Sequence, residues 1–333
     1  MLDIIIPSYN DEQGLYSTLF SLGTINYNWQ VFIIDDASTE NIDFESISNL
    51  FSKYYPIHII KSPNNVGPGG VREYGLILSQ SEFITFIDCG DIVLLPQLIK
   101  KFVHIMEKTP SLNVISCAHL EEPDDNGDEF DKTPETHNRM HGKIYRKSFL
   151  TKYNIHFNIE YPRANEDIGF NHQCRFIDKY FNLHGIMETA EPLILQTNNP
   201  TSITRLNKCE FIYKDQNIGL AKNVEFAITN IQKNFDPPIQ SFLPLIYDVF
   251  GSMYTNYLNT VISNKEYKND SLSGAKYFYD KYGYTFDLDT LLFAQIINHN
   301  IWNSLSNAEI LYDSIDNIPV KEFIQLLKDK NDD

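Results

Sequence analysis

The first two hundred residues alternate short apolar runs with amphipathic stretches. Residues 2–6, 31–34, 57–60 and 83–87 are mainly apolar or β-branched, the pattern of strands covered on both faces of a parallel sheet. The first run is expected to stop at Pro7, which has no N–H to donate to a ladder. Leu15, Leu19 and Leu22 lie at helical spacing, 44–55 reads as an amphipathic helix, and 71–78 as a third helix after an Asn-, Pro- and Gly-rich loop at 61–70. Strands and helices alternating at this rhythm predict right-handed βαβ units, a mostly parallel sheet and an α/β class. Further on, 95–108 is helical, 113–117 a strand, 121–131 an acidic solvated loop, 168–177 amphipathic, and 191–196 a closing strand.

The pattern changes after about residue 205. Helical periodicity then runs through 207–232, 239–263, 272–282, 288–304 and 318–329, with breaks at Asp236-Pro237-Pro238 and Gly283. Tyr247, Phe250, Tyr254 and Tyr257 follow helical spacing, and core packing explains such a stripe better than sugar stacking. The chain is therefore expected to divide into an α/β domain at 1–205 and a smaller helical domain at 206–333.

Composition narrows the function. With 42% hydrophobic and 13% aromatic residues among 333, the chain can fill an ample core. A net charge of −17 disfavours a broad grip on nucleic acid or anionic membrane, since phosphate binding draws on clustered Lys and Arg. No apolar run reaches the roughly 18–20 residues that span a bilayer, and Met1-Leu2-Asp3 has no basic region of a signal peptide. A cytoplasmic location is expected. Cysteines at 89, 117, 174 and 209 are irregularly spaced, which gives neither a zinc pattern nor a disulfide framework.

The candidate chemistry lies at the carboxyl ends of the predicted strands, where open α/β sheets bind ligands. In FITFIDCGDIVLLP, Asp88 and Asp91 end the fourth run, and hard oxygen ligands there suit Mg²⁺ or Mn²⁺ bridging a diphosphate. Asp35-Asp36 ends the second run in the same way. The loop after the first run lacks G-x-G-x-x-G, which argues against a dinucleotide enzyme.

Four segments in register, IIIPSYN near the start, IIDDAST at 33–39, NNVGPGGVREYGL at 64–76 and FIDCGDIVLLP at 86–96, resemble the successive signatures of family 2 glycosyltransferases of the GT-A fold. HGKIYRKSFL and Asn165-Glu166-Asp167 resemble two later segments of that family, and the resemblance fades after about 205. It implies an inverting transferase that moves sugar from a nucleotide sugar, most simply UDP-linked, to an acceptor hydroxyl. The main chain of Pro7, Ser8 and Tyr9 and the Asp36 carboxylate are expected on the uridine. Arg72 is expected on the base carbonyl or the phosphates, and Asp88 on ribose or a metal-bound water. Asp91, Asp88 and His141 form the expected ligand set for Mn²⁺ or Mg²⁺.

Asp167 is the expected general base, with Glu166 orienting the acceptor or the base. Residues 201–205 are expected to form a mobile loop over the diphosphate. Lys143 and Arg146 are candidate phosphate or acceptor contacts. The family's commonest D-S-D-D is D-C-G-D here, with Gly90 at the second acid and His141 in place of a tryptophan. The family's usual targets are a surface or capsular polysaccharide or a teichoic acid. Transfer to a hydroxylated base in DNA, disfavoured by the acidic charge, is an alternative within the same chemistry. A nucleotide-sugar binding protein without turnover is the alternative outside it. The helical domain is expected to recognise the acceptor, pair with a second copy or buttress the first domain.

Overall fold

The computed structural model describes residues 1–23, 28–123, 130–135, 138–198, 214–263, 265–285 and 320–328. Two compact units divide the chain, 1–202 and 203–333. The first is built on one nine-stranded sheet. Its strands are β1 (Leu2–Ser8), β2 (Trp29–Asp35), β3 (Ile57–Lys61), β4 (Phe83–Phe86), β5 (Ile92–Val93), β6 (Val114–Glu121), β7 (Asp131–Thr133), β8 (Lys143–Arg146) and β9 (Ile186–Gln196). They lie in the order β3-β2-β1-β4-β8-β6-β9-β5, with β7 paired to β6. The expected α/β class holds. Parallel pairing is found within β3-β2-β1-β4 and between β6 and β9, and the other pairs are antiparallel.

The apolar runs read from the sequence form the centre of this sheet, with Ile4, Ile6, Val31, Ile33, Phe83 and Ile115 fully buried. Leu15 and Leu19 of α1 (Glu12–Ser21) pack on them, followed by Leu22 at its end. β1 does not stop at Pro7. The Ile5 carbonyl accepts from Ile87 N–H on the β4 side, and Leu2 N–H and the Ser8 carbonyl pair on the β2 side. By the alternation of a strand, Pro7 therefore faces β4, which has already ended, so its missing N–H leaves no gap in the ladder.

Three helix boundaries also differ from the sequence reading. α2 (Phe44–Phe51) ends four residues early and the chain continues to Tyr55 as turns, with Tyr54 N–H on the Phe51 carbonyl at 2.9 Å. α3 (Gly67–Leu78) starts four residues early, inside the supposed loop. Pro68 lies in its first turn, where an N–H is unpaired anyway, and the Asp36 carboxylate accepts from the Val66 and Gly67 N–H groups at 2.6 and 2.9 Å. α4 (Pro96–Lys108) begins one residue later than expected. α5 (Lys147–Lys152) and α6 (Glu166–Tyr180) complete this unit.

Arg146, a candidate ligand contact in the sequence, instead ties β8 to the end of α4. Its guanidinium donates to the carbonyls of Leu112, Met106 and Thr109 and pairs with Glu82. Cys89 and Cys174 are free thiols. The acidic run is described only in part, and the 201–205 loop lies outside the described residues.

The second unit is helical: α7 (Gln216–Phe235), α8 (Leu243–Ser263), α9 (Lys268–Tyr282) and α10 (Val320–Lys328). The expected helix at 288–304 lies outside the described residues. Tyr247, Phe250, Tyr254 and Tyr257 are buried, so the aromatic stripe packs into this unit's core. The Asn217 amide, 1% exposed, donates to the Met253 and Ser271 carbonyls and accepts from Asn256, which joins α7, α8 and α9 through one satisfied polar group. No helix among the described residues is long and apolar enough to cross a membrane.

Candidate active site

The turn after β4 is shaped by its glycine. Asp91 N–H donates to the Asp88 carbonyl at 3.0 Å, and Gly90 adopts φ +96°, a conformation that an acid there would adopt only under strain. Gly90, standing where the second acid is missing, is therefore the residue that lets Asp88 and Asp91 turn towards each other. Thr18 fastens the turn from α1, accepting from Gly90 N–H at 3.0 Å and donating to the Asp91 carbonyl at 2.9 Å. Thr197, just past β9, donates its hydroxyl to the Gly90 carbonyl at 2.9 Å. The Cys89 thiol reaches the Asp11 carbonyl, and burial holds it well above the usual thiol range, so it is no nucleophile.

His141 completes the corner. Its Nε2 lies 3.3 Å from Asp91 Oδ2 and 3.6 Å from Asp88 Oδ2, and one ligand atom from each of the three residues lies within 4.8 Å of the others. Asp91 Oδ2 is buried without a hydrogen bond among the described residues. Burial pushes the Asp91 carboxyl up. Burial also opposes charge on His141, but Asp91 and Asp88 outweigh it and raise the imidazole. Two carboxylates and an imidazole, with Asp91 Oδ2 facing His141 but making no well-formed hydrogen bond among the described residues, fit a divalent cation with mixed oxygen and nitrogen preference.

Behind His141 stands His119, which the sequence reading missed. Its ring stacks on His141 with centroids 4.9 Å apart, and its Nε2 lies 3.3 Å from Glu121, which Arg139 and Thr133 also bind. Burial pushes the His119 imidazole down to about 4, so it packs against His141 as a neutral ring. The register of β6 against β9 shifts on both sides of Ala118, which lies opposite Pro192, the extra residues falling on β9. A histidine inside an otherwise apolar strand was the signal available for His119.

The acids of the sixth helix come to the same corner. Asp167 Oδ2 accepts from Met140 N–H at 3.2 Å, the residue beside His141. Glu166 Oε1 accepts from Arg72 Nη1 at 2.7 Å, and Arg72 Nη2 donates to Asp88 Oδ1 at 2.5 Å. Burial pushes the Glu166 carboxyl up to about 7 against the pull of Arg72, with Asp167 adding to the rise. Burial would raise Asp88 too, yet Arg72 and His141 hold it below the usual carboxylate range. Lys143, 2% exposed on β8, is pushed down to about 7 by burial.

The expected nucleotide contacts are arranged differently from one another. Ser8 is buried at the end of β1, Pro7 lies beside it, and Tyr9 is 41% exposed. Asp36 has both carboxylate oxygens on the N–H groups that open α3, and Arg72 has both terminal nitrogens on carboxylates. Asp88, Asp91, His141, Glu166 and Asp167 thus surround one corner, with Arg72 between them, while Asp36 lies at the start of the helix that carries Arg72.

Comparison with known proteins gives a family and a fold. A model of "Glycosyl transferase family 2" matches residues 3–167. An uncharacterized glycosyltransferase of Haemophilus influenzae is 31% identical over 34% of this chain and 37% of its own length. The UDP-Glc:alpha-D-GlcNAc-diphosphoundecaprenol beta-1,3-glucosyltransferase WfgD of Escherichia coli is 30% identical over 28% of this chain and 36% of its own. The chain therefore spans well under half the length of these relatives. Among solved structures, S. aureus TarS 1-349 in complex with UDP-GlcNAc superposes with a TM-score of 0.60 at 15% identity, covering 83% of this chain and 80% of that one; it shares the fold. Through residues 3–167, the chain belongs to glycosyl transferase family 2.

Proposed function

We propose that the chain transfers a sugar from a UDP-linked donor to an acceptor hydroxyl, with inversion at the anomeric carbon and dependence on Mn²⁺ or Mg²⁺. The observation that carries this reading is the single corner formed by Asp88, Asp91 and His141 beside Asp167. Asp88, Asp91 and His141 would hold the cation, which when bound neutralises the diphosphate. Asp167 takes the proton of the attacking hydroxyl, and its position in the first turn of α6 brings it beside the cation corner. The exposed edge at Tyr9 and the end of β1 line the path for the nucleoside. Asp36 contributes by fixing the start of α3 beside it.

UDP-linked donors are supported by the E. coli relative, named for UDP-Glc, and by the S. aureus structure, which holds UDP-GlcNAc. The proposed acceptor is a growing surface or capsular polysaccharide or a teichoic acid. The free thiols of Cys89 and Cys174 fit the reducing cytoplasm. The second unit, 203–333, is assigned acceptor recognition or pairing with a second copy.

The test is incubation with UDP-glucose, UDP-GlcNAc or UDP-galactose and Mn²⁺, following UDP release with and without candidate glycan acceptors. Release that disappears with a chelator and in Asp167→Ala is expected. Tight UDP binding without release from any donor would make the chain a binding protein.

A further inference from the structure

Arg72 joins two parts of the site, reaching Asp88 nearby in the chain and Glu166, 94 residues further on than itself. Its side chain is 5% exposed, and its two terminal nitrogens go to two different carboxylates, Asp88 of the cation corner and Glu166 of the base-bearing turn. A planar guanidinium used in this way fixes the separation of both partners, which a flexible ammonium does not.

The helix that carries Arg72 meets the same turn along its first residues. Gly69 N–H donates to the Pro162 carbonyl at 2.9 Å. A Cβ at Gly69 would lie 2.8 Å from Glu166 Cγ, and one at Gly67 would lie 2.7 Å from Arg163 Cγ. Arg163 reaches back to Asn65 Oδ1 at 2.5 Å. The glycines of NNVGPGG are thus explained by close approach to residues 162–166. The turn leads into α6 through Asn165, which lies in the left-handed region at φ 58°.

We infer that Arg72 is a positioning residue, which holds the base-bearing turn 162–167 at a fixed distance from the cation corner through Glu166 and Asp88. Gly67 and Gly69 provide the surface on which that turn docks. Asp167 is thereby held by α3 as well as by its own helix. With one N–H of each terminal nitrogen already on a carboxylate, the residue is read as acting through those neighbours. The kinetic part of this inference rests on the proposed transferase reading; the docking of the turn does not.

The experiment is hydrogen exchange followed by mass spectrometry on the full chain without ligand, comparing wild type with Arg72→Gln, Arg72→Lys and Glu166→Gln. Arg72→Gln and Glu166→Gln are expected to speed exchange of the 162–168 amides by about tenfold or more, leaving β1 unchanged. Arg72→Lys should recover part of the protection. In turnover of a UDP-sugar, Arg72→Gln should lower kcat about tenfold or more with the donor KM nearly unchanged.

Wild-type exchange rates at 162–168 in Arg72→Gln would overturn the inference. A raised donor KM with unchanged kcat would do so too, because it would make Arg72 a donor ligand. If Arg72→Gln fails to fold, unchanged exchange in Glu166→Gln would overturn it equally. Absence of turnover in wild type would count against the transferase reading alone, and exchange would still decide the positioning role.

Discussion

The two edges of the parallel strands each bury an aspartate, and the fold treats the two in opposite ways. At the amino edge, Asp3 is 0% exposed. It accepts five hydrogen bonds, from the Ser79 and Ser81 hydroxyls, the Gln80 and Ser81 N–H groups and the Gln30 amide. Burial pushes its carboxyl up, but those bonds outweigh it and the carboxyl lies below its usual value. At the carboxyl edge, Asp91 is 5% exposed, its Oδ1 has a long contact to Thr197 N–H at 3.4 Å, and its Oδ2 has an ion-pair contact with His141 at 3.3 Å but no well-formed hydrogen bond among the described residues. Burial there wins, and the carboxyl is raised. A buried charge saturated by its own chain is structural, whereas one left short of donors is prepared for something the chain does not contain.

Substitutions at the two edges separate these roles. The largest effect is expected at Asp167→Asn, where kcat should fall by about 10²–10⁴ while the thermal midpoint stays near wild type; a retained kcat would remove the chemistry from the carboxyl edge. Asp3→Ala should cost about 3 kcal/mol in urea unfolding, because several buried donors lose their acceptor, with kcat per folded molecule unchanged. Asp91→Asn is expected to do the reverse. It should not destabilise the metal-free chain, but it should abolish the gain on adding Mn²⁺, about 2.7 kcal/mol in wild type at a hundred times Kd. Destabilisation of the metal-free chain as large as that of Asp3→Ala would erase the contrast.

The smallest effect is a pH dependence. Glu166 has a folded value of about 7, above its ordinary 4.5. Its contribution to stability is therefore full below the ordinary value and is lost as pH rises through about 7. The melting temperature of wild type relative to Glu166→Gln should fall between about pH 5 and about pH 8. A difference that stays flat or grows would show that Glu166 is already ionised at low pH.

The parallel half of the sheet was legible in the sequence because each strand there is an apolar run between turn residues. The exceptions have local causes: Pro7 continues β1 because it faces the side where β4 has ended, and Pro68 opens a helix in a segment whose glycines suggested a loop. The two-residue β5 is too short to carry a periodic signal. At the site, acids at strand ends and at the start of α6 were legible from position and type. Their partners were not, since the pairing of Arg72 with Glu166 and of Thr197 with Gly90 depends on contacts between distant segments. His119 was hidden for another reason: no motif marks it, and its stacking on His141 joins segments that are separate in sequence.

The most direct measurement is an anomalous difference map at the manganese edge, from crystals of the full chain grown with UDP and Mn²⁺. A peak bounded by Asp88, Asp91 and His141, with the diphosphate on the side that faces Asp167, is the predicted result. UDP bound with manganese elsewhere, or with Asp167 turned away from the diphosphate, would contradict it.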